Sequence, residues 1–252
     1  MICRLNRFMQ LIDAHCHLEA PQFDGEVDAV AARCKQKNVV FVVDALGEVA
    51  RLQNLLSISR KHSFVKMALG VNPYDAVKRD WRKDLQLIKP HLQECVAIGE
   101  IGLDRHEFAE KDWPIQEACF IAQLELAEKL SLPVVVHSRK AESRVFEVLE
   151  DFSSVRVMLH CFLVHRFAER AAKNGFLVSL PTLKSKSRQK LACACEVVCE
   201  TDSPFLSPNG GNNEPWKVLE SYEAVAAARG EELEKCAGKI NSLAAKFFGV
   251  EE

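Results

Sequence analysis

Leu11-Ile12-Asp13-Ala14-His15-Cys16-His17-Leu18 is a short apolar run that ends in two histidines one residue apart. Strand side chains alternate faces, so with Leu11–Ala14 as a strand, His15 and His17 leave it on the same side. Two imidazoles on one side can grip a metal ion, although a lone His-x-His is as easily a surface pair. Here the pattern recurs. Glu100, His137, His160 and Asp202 each close an apolar, β-rich run, and this recurrence points to a set of strands that carry one shared site.

Outward from that stretch the chain alternates. Val39–Val43 is a continuous β-branched and aromatic run, as expected of a strand covered on both faces. Val65–Leu69, Cys95–Glu100, Pro133–His137, Val155–Leu159, Phe176–Leu180 and Glu196–Glu200 repeat it. Between these runs apolar residues fall at helical spacing, as at Val27, Val30, Ala31 and Cys34, or at Ile115, Cys119, Ala122, Leu126 and Leu130. Further helices are expected at Leu52–Ser59, Leu85–Leu92, Val145–Leu149, Phe167–Ala172 and Lys184–Cys193, and two more after the Pro/Gly/Asn-rich loop Ser203–Pro215. Eight strands alternating with helices, without linker or repeat, predict an α/β fold with a parallel sheet. A (β/α)8 TIM barrel fits that count and the length of 252 residues. It is read as one domain over residues 1–252, with residues 1–8 as an N-terminal extension ahead of Met9. A doubly wound sheet would open with a Gly-rich first turn, whereas the first strand here leads into His15-Cys16-His17-Leu18.

Composition narrows the function classes. Apolar residues at 48% and charged residues at 27% are ordinary for a soluble globular chain and argue against disorder. A formal net charge of −2 gives no global attraction for a polyanion, so a nucleic-acid substrate must be met by metal ions and a local basic patch. The ten cysteines fall largely in core-like segments, such as Cys34, Cys95 and Cys119, where thiols act as small apolar side chains. Cys193-x-Cys195 followed by Cys199 lacks a paired CxxC partner and reads as core filler. No apolar h-region opens the chain and no apolar run approaches membrane-spanning length. The expectation is a monomeric cytoplasmic protein with no membrane partner.

In a barrel of this kind the C-terminal ends of the strands share one mouth. His15 and His17 follow the first strand, Glu100 ends the fourth, His137 the fifth, His160 the sixth, and Asp202 follows the eighth. Four imidazoles and two carboxylates are too many for one tetrahedral ion but suit two ions that share a bridging carboxylate. Donors of this type accept Mg, Mn or Zn.

The segments Ile12-Asp13-Ala14-His15-Cys16-His17-Leu18, Gly99-Glu100-Ile101-Gly102-Leu103-Asp104, Leu132-Pro133-Val134-Val135-Val136-His137-Ser138-Arg139, His160-Cys161-Phe162 and Glu200-Thr201-Asp202-Ser203-Pro204 together carry a resemblance. The chain resembles the TatD-like metal-dependent hydrolases, a branch of the amidohydrolase-type barrels, over nearly its whole length. Asn213-Glu214-Pro215 is similar to that family's motif after the last strand. The resemblance implies a divalent-metal phosphodiesterase of the DNase type, a 3′-to-5′ exonuclease that cleaves DNA ends or single strands by a metal-activated water. By matching position it implies that His15, His17 and Asp202 hold one metal, that His137 and His160 hold the second, and that Glu100 bridges them. Glu100 and Asp202 are then the catalytic carboxylates, Asp202 taking the water's proton. Asp104 is read as support for a ligand imidazole.

Substrate contacts are expected at Arg139, which can fork onto a phosphate, and at Arg105, Asn72 and Asn213. Tyr74 and Trp216 are possible stacking rings, and Lys184, Lys186, Arg188 and Lys190 form either a phosphate patch or a solvated helix face. The chain departs from the family at Gly70-Val71-Asn72-Pro73, where a histidine usually stands in place of Asn72. Asparagine hydrogen-bonds but does not titrate near neutral pH. Arg105 replaces an aromatic residue, and Leu163-Val164-His165 stands where small residues are usual. Two alternatives remain open from the sequence: a small-molecule amidohydrolase or lactonase using the same dinuclear site, and a catalytically idle DNA-binding relative.

Overall fold

Eight strands form where the apolar runs place them: β1 (Leu11–Cys16), β2 (Val39–Ala45), β3 (Val65–Ala68), β4 (Ile98–Asp104), β5 (Val134–Arg139), β6 (Val157–Leu159), β7 (Leu177–Leu180) and β8 (Val197–Cys199). The computed structural model describes residues 9–183, 185–208 and 210–250; the expected extension at residues 1–8 and Lys184 of the basic run lie outside them. All ladders are parallel. They run as two arcs, β1-β2-β3 and β4 to β8 in chain order. Backbone hydrogen bonds join the arcs at both seams. Between β3 and β4, Val96 N–H donates to Met67 O at 2.9 Å and Gly99 N–H to Leu69 O at 3.2 Å. Past β8, Asp202 N–H donates to His15 O at 3.0 Å and His17 N–H to Ser203 O at 2.7 Å. The architecture is therefore the expected (β/α)8 barrel.

The connecting helices are α1 (Val27–Gln36), α2 (Leu52–Lys61), α3 (Pro73–Lys78), α4 (Trp81–Ile88), α5 (Trp113–Leu130), α6 (Glu142–Glu150), α7 (Ala168–Lys173) and α8 (Lys186–Ala194), followed by α9 (Leu219–Arg229) and α10 (Leu233–Phe248). Val134, Val135 and Val136 are all fully buried, one face in the barrel interior and the other under helices, which is why their run is continuous rather than alternating. Outside β1, the buried Tyr222 of α9 accepts a hydrogen bond from Ile12 N–H at 3.1 Å and donates to Asn241 Oδ1 at 2.7 Å. That clamp fixes the strand from which His15 and His17 depart. Among the described residues no helix is long and apolar enough to cross a membrane.

Three elements differ from expectation. The Leu85–Leu92 helix ends at Ile88 and continues as a 3-10 turn over Lys89–Glu94, because Pro90 has no N–H to donate. Helix α3 went unforeseen: Pro73 sits at its start and the Asn72 side chain caps it by accepting from Asp75 N–H at 2.9 Å. Strand β4 runs Ile98–Asp104 rather than Cys95–Glu100, so Glu100 lies inside the strand and Asp104 ends it. Gly99 and Gly102 hide this strand from a propensity reading, yet β4 requires both. A Cβ on Gly99 would lie 2.6 Å from Val135 Cβ; on Gly102, where φ is +133°, it would lie 2.1 Å from His137 O. Only glycine lets β4 pass β5 this closely.

Candidate metal centre

β1 delivers His15 from within the strand and His17 just beyond it, and their Nε2 atoms meet at 3.1 Å. His17 Nδ1 donates to Ala45 O at 2.7 Å, which leaves the Nε2 lone pair free to face inward. Asp202 Oδ1 lies 3.5 Å from both Nε2 atoms. Its residue is in the left-handed region at φ +54°, a conformation asparagine and aspartate tolerate better than other side chains. Asp13, fully buried in β1, accepts from Thr201 N–H at 2.9 Å and from Thr201 Oγ1 at 2.5 Å, so it locks the segment carrying Asp202 against the first strand.

β4, β5 and the residue after β6 complete the centre. Glu100 Oε1 lies 2.9 Å from His137 Nδ1 and 3.3 Å from His160 Nε2, while Oε2 lies 3.7 Å from both His15 Nε2 and His17 Nε2. Behind His137, Asp104 Oδ2 accepts from Nε2 at 3.0 Å, with Asp104 Oδ1 held by the backbone N–H groups of His106 and Glu107. Behind His160, the buried Glu200 lies 3.9 Å from Nδ1 and accepts from the Ser179 hydroxyl. Two donor triplets are drawn together: His15, His17 and Asp202, and His15, Glu100 and His160. No cysteine joins them among the described residues.

The electrostatics favour positive charge here. Burial works to raise the Glu100 carboxyl, but the His160 and His137 imidazoles beside it hold it well below its usual range. Burial likewise opposes a charged His137, yet Asp104 and Glu100 raise it to about 9. His15 is pushed well below its usual value by burial and by the imidazoles of His160 and His17. Convergent imidazole nitrogens and carboxylates, with the far nitrogens of His17 and His137 tied to a backbone and a carboxylate oxygen, are the donor chemistry of a divalent metal site, and the residues fit it.

The centre opens into a cleft of about 1110 Å³. Of the expected substrate contacts, Arg139 is on its rim, ion-paired to Glu107 at 2.9 Å, and Tyr74 lines it. Asn72 also borders the cleft, but both ends of its amide serve the fold, the oxygen capping α3 and the nitrogen donating to Gly47 O. Arg105 is not a cleft residue: its guanidinium stacks on Trp113 with 4.3 Å to the ring centroid. Asn213 is fully buried and donates to Thr201 O at 2.9 Å, bracing the loop after β8 instead of facing substrate. Trp216 donates to Glu214 and packs beneath Lys37 and Lys217, away from the cleft. The basic run is not one face, since Arg188 is buried and donates to Pro181 O at 3.0 Å. Sequence reading missed Lys78, Lys140 and Phe205 on the cleft wall; for Lys140 and Phe205 a loop position after a strand was the available signal, whereas Lys78 closes the unforeseen helix α3.

Comparison with known proteins identifies the family. Residues 12–249 match the family described as TatD related DNase. The chain belongs to the TatD-related DNase family. A metal-dependent hydrolase of Methanocaldococcus jannaschii is 35% identical to this TatD-family chain over 96% of its length and 98% of the relative's. Deoxyribonuclease TATDN3 of Homo sapiens is 33% identical over 94% of each chain. The crystal structure of YJJV, a TatD homolog from Escherichia coli K12, superposes with a TM-score of 0.87 at 25% identity, covering 96% of this chain and 99% of that one. The chain is thus a TatD-family metal-dependent hydrolase.

Proposed function

We propose that this hydrolase is a deoxyribonuclease whose six convergent side chains hold two divalent ions. The division of Glu100 carries the reading: one carboxylate oxygen faces the His15–His17 pair and the other faces His137 and His160. A carboxylate so placed can serve two ions at once, with His15, His17 and Asp202 on one and His137 and His160 on the other. Divalent ions held there supply Lewis acidity to a phosphoryl oxygen and lower the pKa of water.

The chain's own groups do the rest. Asp104 Oδ2 and Ala45 O fix the far N–H groups of His137 and His17, so His137 Nδ1 and His17 Nε2 are the atoms offered to a metal, which would displace any proton they carry. The Asp202 carboxylate, whose side chain is 14% exposed and borders the cleft, would accept the proton that the attacking water gives up. Arg139, Lys78 and Lys140 place positive charge on the cleft for the flanking phosphates, the local patch that a chain of net charge −2 requires. This cationic rim favours a phosphodiester over the lactones or amides that the same centre could attack. The family resemblance supports Mg, Mn or Zn as the ions and digestion from 3′ ends. Nine free cysteines among the described residues support a reducing, cytoplasmic setting.

The test strips the protein of metal, restores Mg, Mn or Zn separately, and follows 5′-labelled and 3′-labelled single-stranded DNA beside Glu100→Ala. Metal-dependent cleavage that vanishes in the variant is expected, and the two labels give the direction. Two bound ions with no cleavage under any metal would overturn the nuclease reading.

A further inference from the structure

An aromatic ring left in water on a catalytic cleft forgoes the stabilisation of burial unless a ligand covers it. Phe205 is such a ring. It is 47% exposed, and the other large apolar side chains exposed to a similar degree among the described residues, Leu87 and Ile115, lie on α4 and α5 outside the cleft. Phe205 is tied to the metal centre through the backbone. Its N–H donates to Asp202 O at 2.9 Å, and its ring meets that of His17 edge-on with centroids 5.7 Å apart.

The cleft lining mixes two kinds of side chain. Leu163 and Val164 after β6 and Leu206 beside Phe205 are apolar, whereas Lys78 at the end of α3, Arg139 at the end of β5 and Lys140 just after it are cationic, among the acidic Glu48, Asp75 and Glu142. A nucleotide needs both kinds, with an anionic phosphate at one end of a sugar and a flat apolar base at the other.

Resting on the nuclease reading above, we propose that Phe205 is a stacking platform for the base of the nucleotide being released. With the phosphate at the metal centre, the base lies a sugar's length away, on the scale of the separation between His17 and Phe205. A base inside a duplex has both faces covered by its neighbours and its edge paired, so only a frayed or single-stranded terminal base can lay a face on the ring. Stacking is tolerant of base identity, which suits a nuclease that digests mixed sequence.

The test compares two ligands that differ only in the base. Calorimetry on the metal-loaded protein measures binding of thymidine 5′-monophosphate and of 2-deoxyribose 5-phosphate for wild type, Phe205→Ala and Phe205→Trp. Wild type is expected to favour the nucleotide by about 5- to 160-fold, the range of one base–aromatic stack. Phe205→Ala brings that ratio near one and Phe205→Trp restores it, while all three proteins hold 2-deoxyribose 5-phosphate alike. That last control shows that the variants are folded and their centres intact. An unchanged ratio in Phe205→Ala, or a wild-type ratio near one, overturns the platform and leaves the nuclease reading standing wherever DNA is still cleaved. Failure of the wild-type protein to bind either ligand or to cleave DNA overturns both.

Discussion

Replacing Asp104 by asparagine exchanges one carboxylate oxygen for an NH₂ group at nearly constant volume, and the structure decides which oxygen is lost. Oδ1 accepts from His106 N–H at 2.8 Å and Glu107 N–H at 3.0 Å, so the amide oxygen stays there. The NH₂ then faces His137 Nε2, which now donates to Oδ2 at 3.0 Å. Two N–H groups cannot face each other, so the His137 proton moves to Nδ1, the nitrogen 2.9 Å from Glu100 Oε1. The lone pair that faced the centre is gone. Burial works to raise the Asp104 carboxyl, but His137 and the two backbone donors hold it below its usual range, so the group being replaced is ionised at neutral pH. Loss of a partner behind a metal-binding histidine costs about 10- to 100-fold in metal affinity or activity, or about 1.4–2.8 kcal/mol. Calorimetric metal titration of Asp104→Asn should show one ion weakened by that factor, with kcat on single-stranded DNA falling and KM nearly unchanged. Equal affinity for both ions and an unchanged kcat would refute the tautomer argument.

Gly102→Ala puts a Cβ 2.1 Å from His137 O at a φ of +133°. A loss on the order of 3 kcal/mol or more is expected in urea denaturation, and a wild-type midpoint would contradict the close passage of β4 and β5. Tyr222→Phe strands the buried Ile12 N–H; the expected loss is about 1–3 kcal/mol, seen as a Tm lowered by about 2–4 °C per kcal/mol. Iodoacetamide at mildly alkaline pH should modify the exposed Cys193 in the native protein before Cys34, Cys95 and Cys119, whose thiols burial pushes up to about 12. Peptide mapping that finds Cys34 among the first sites would mean that the α1 face is not packed as described.

The sequence alone determined the strand count, the alternation with helices and the segments that carry the histidines and carboxylates. These are legible because burial on both faces writes itself locally, as uninterrupted apolar runs such as Val134-Val135-Val136. Strand β4 was placed three residues early because its glycines answer to the backbone of β5, a neighbour distant in sequence. Charge was the least legible feature. Arg105 and Asn213 read as substrate contacts, and Arg188 as part of either a phosphate patch or a solvated face; instead they stack on Trp113, brace Thr201 O and hold Pro181 O. A side chain's type states what it can bond, and only the packed surroundings supply the partner. The convergence of His15, His17, Glu100, His137, His160 and Asp202, and the way Glu100 divides its oxygens between imidazole pairs, likewise belong to the closed ring of strands. Residues nearly two hundred positions apart meet there because β1 and the segment after β8 share hydrogen bonds, a closure that no local pattern records.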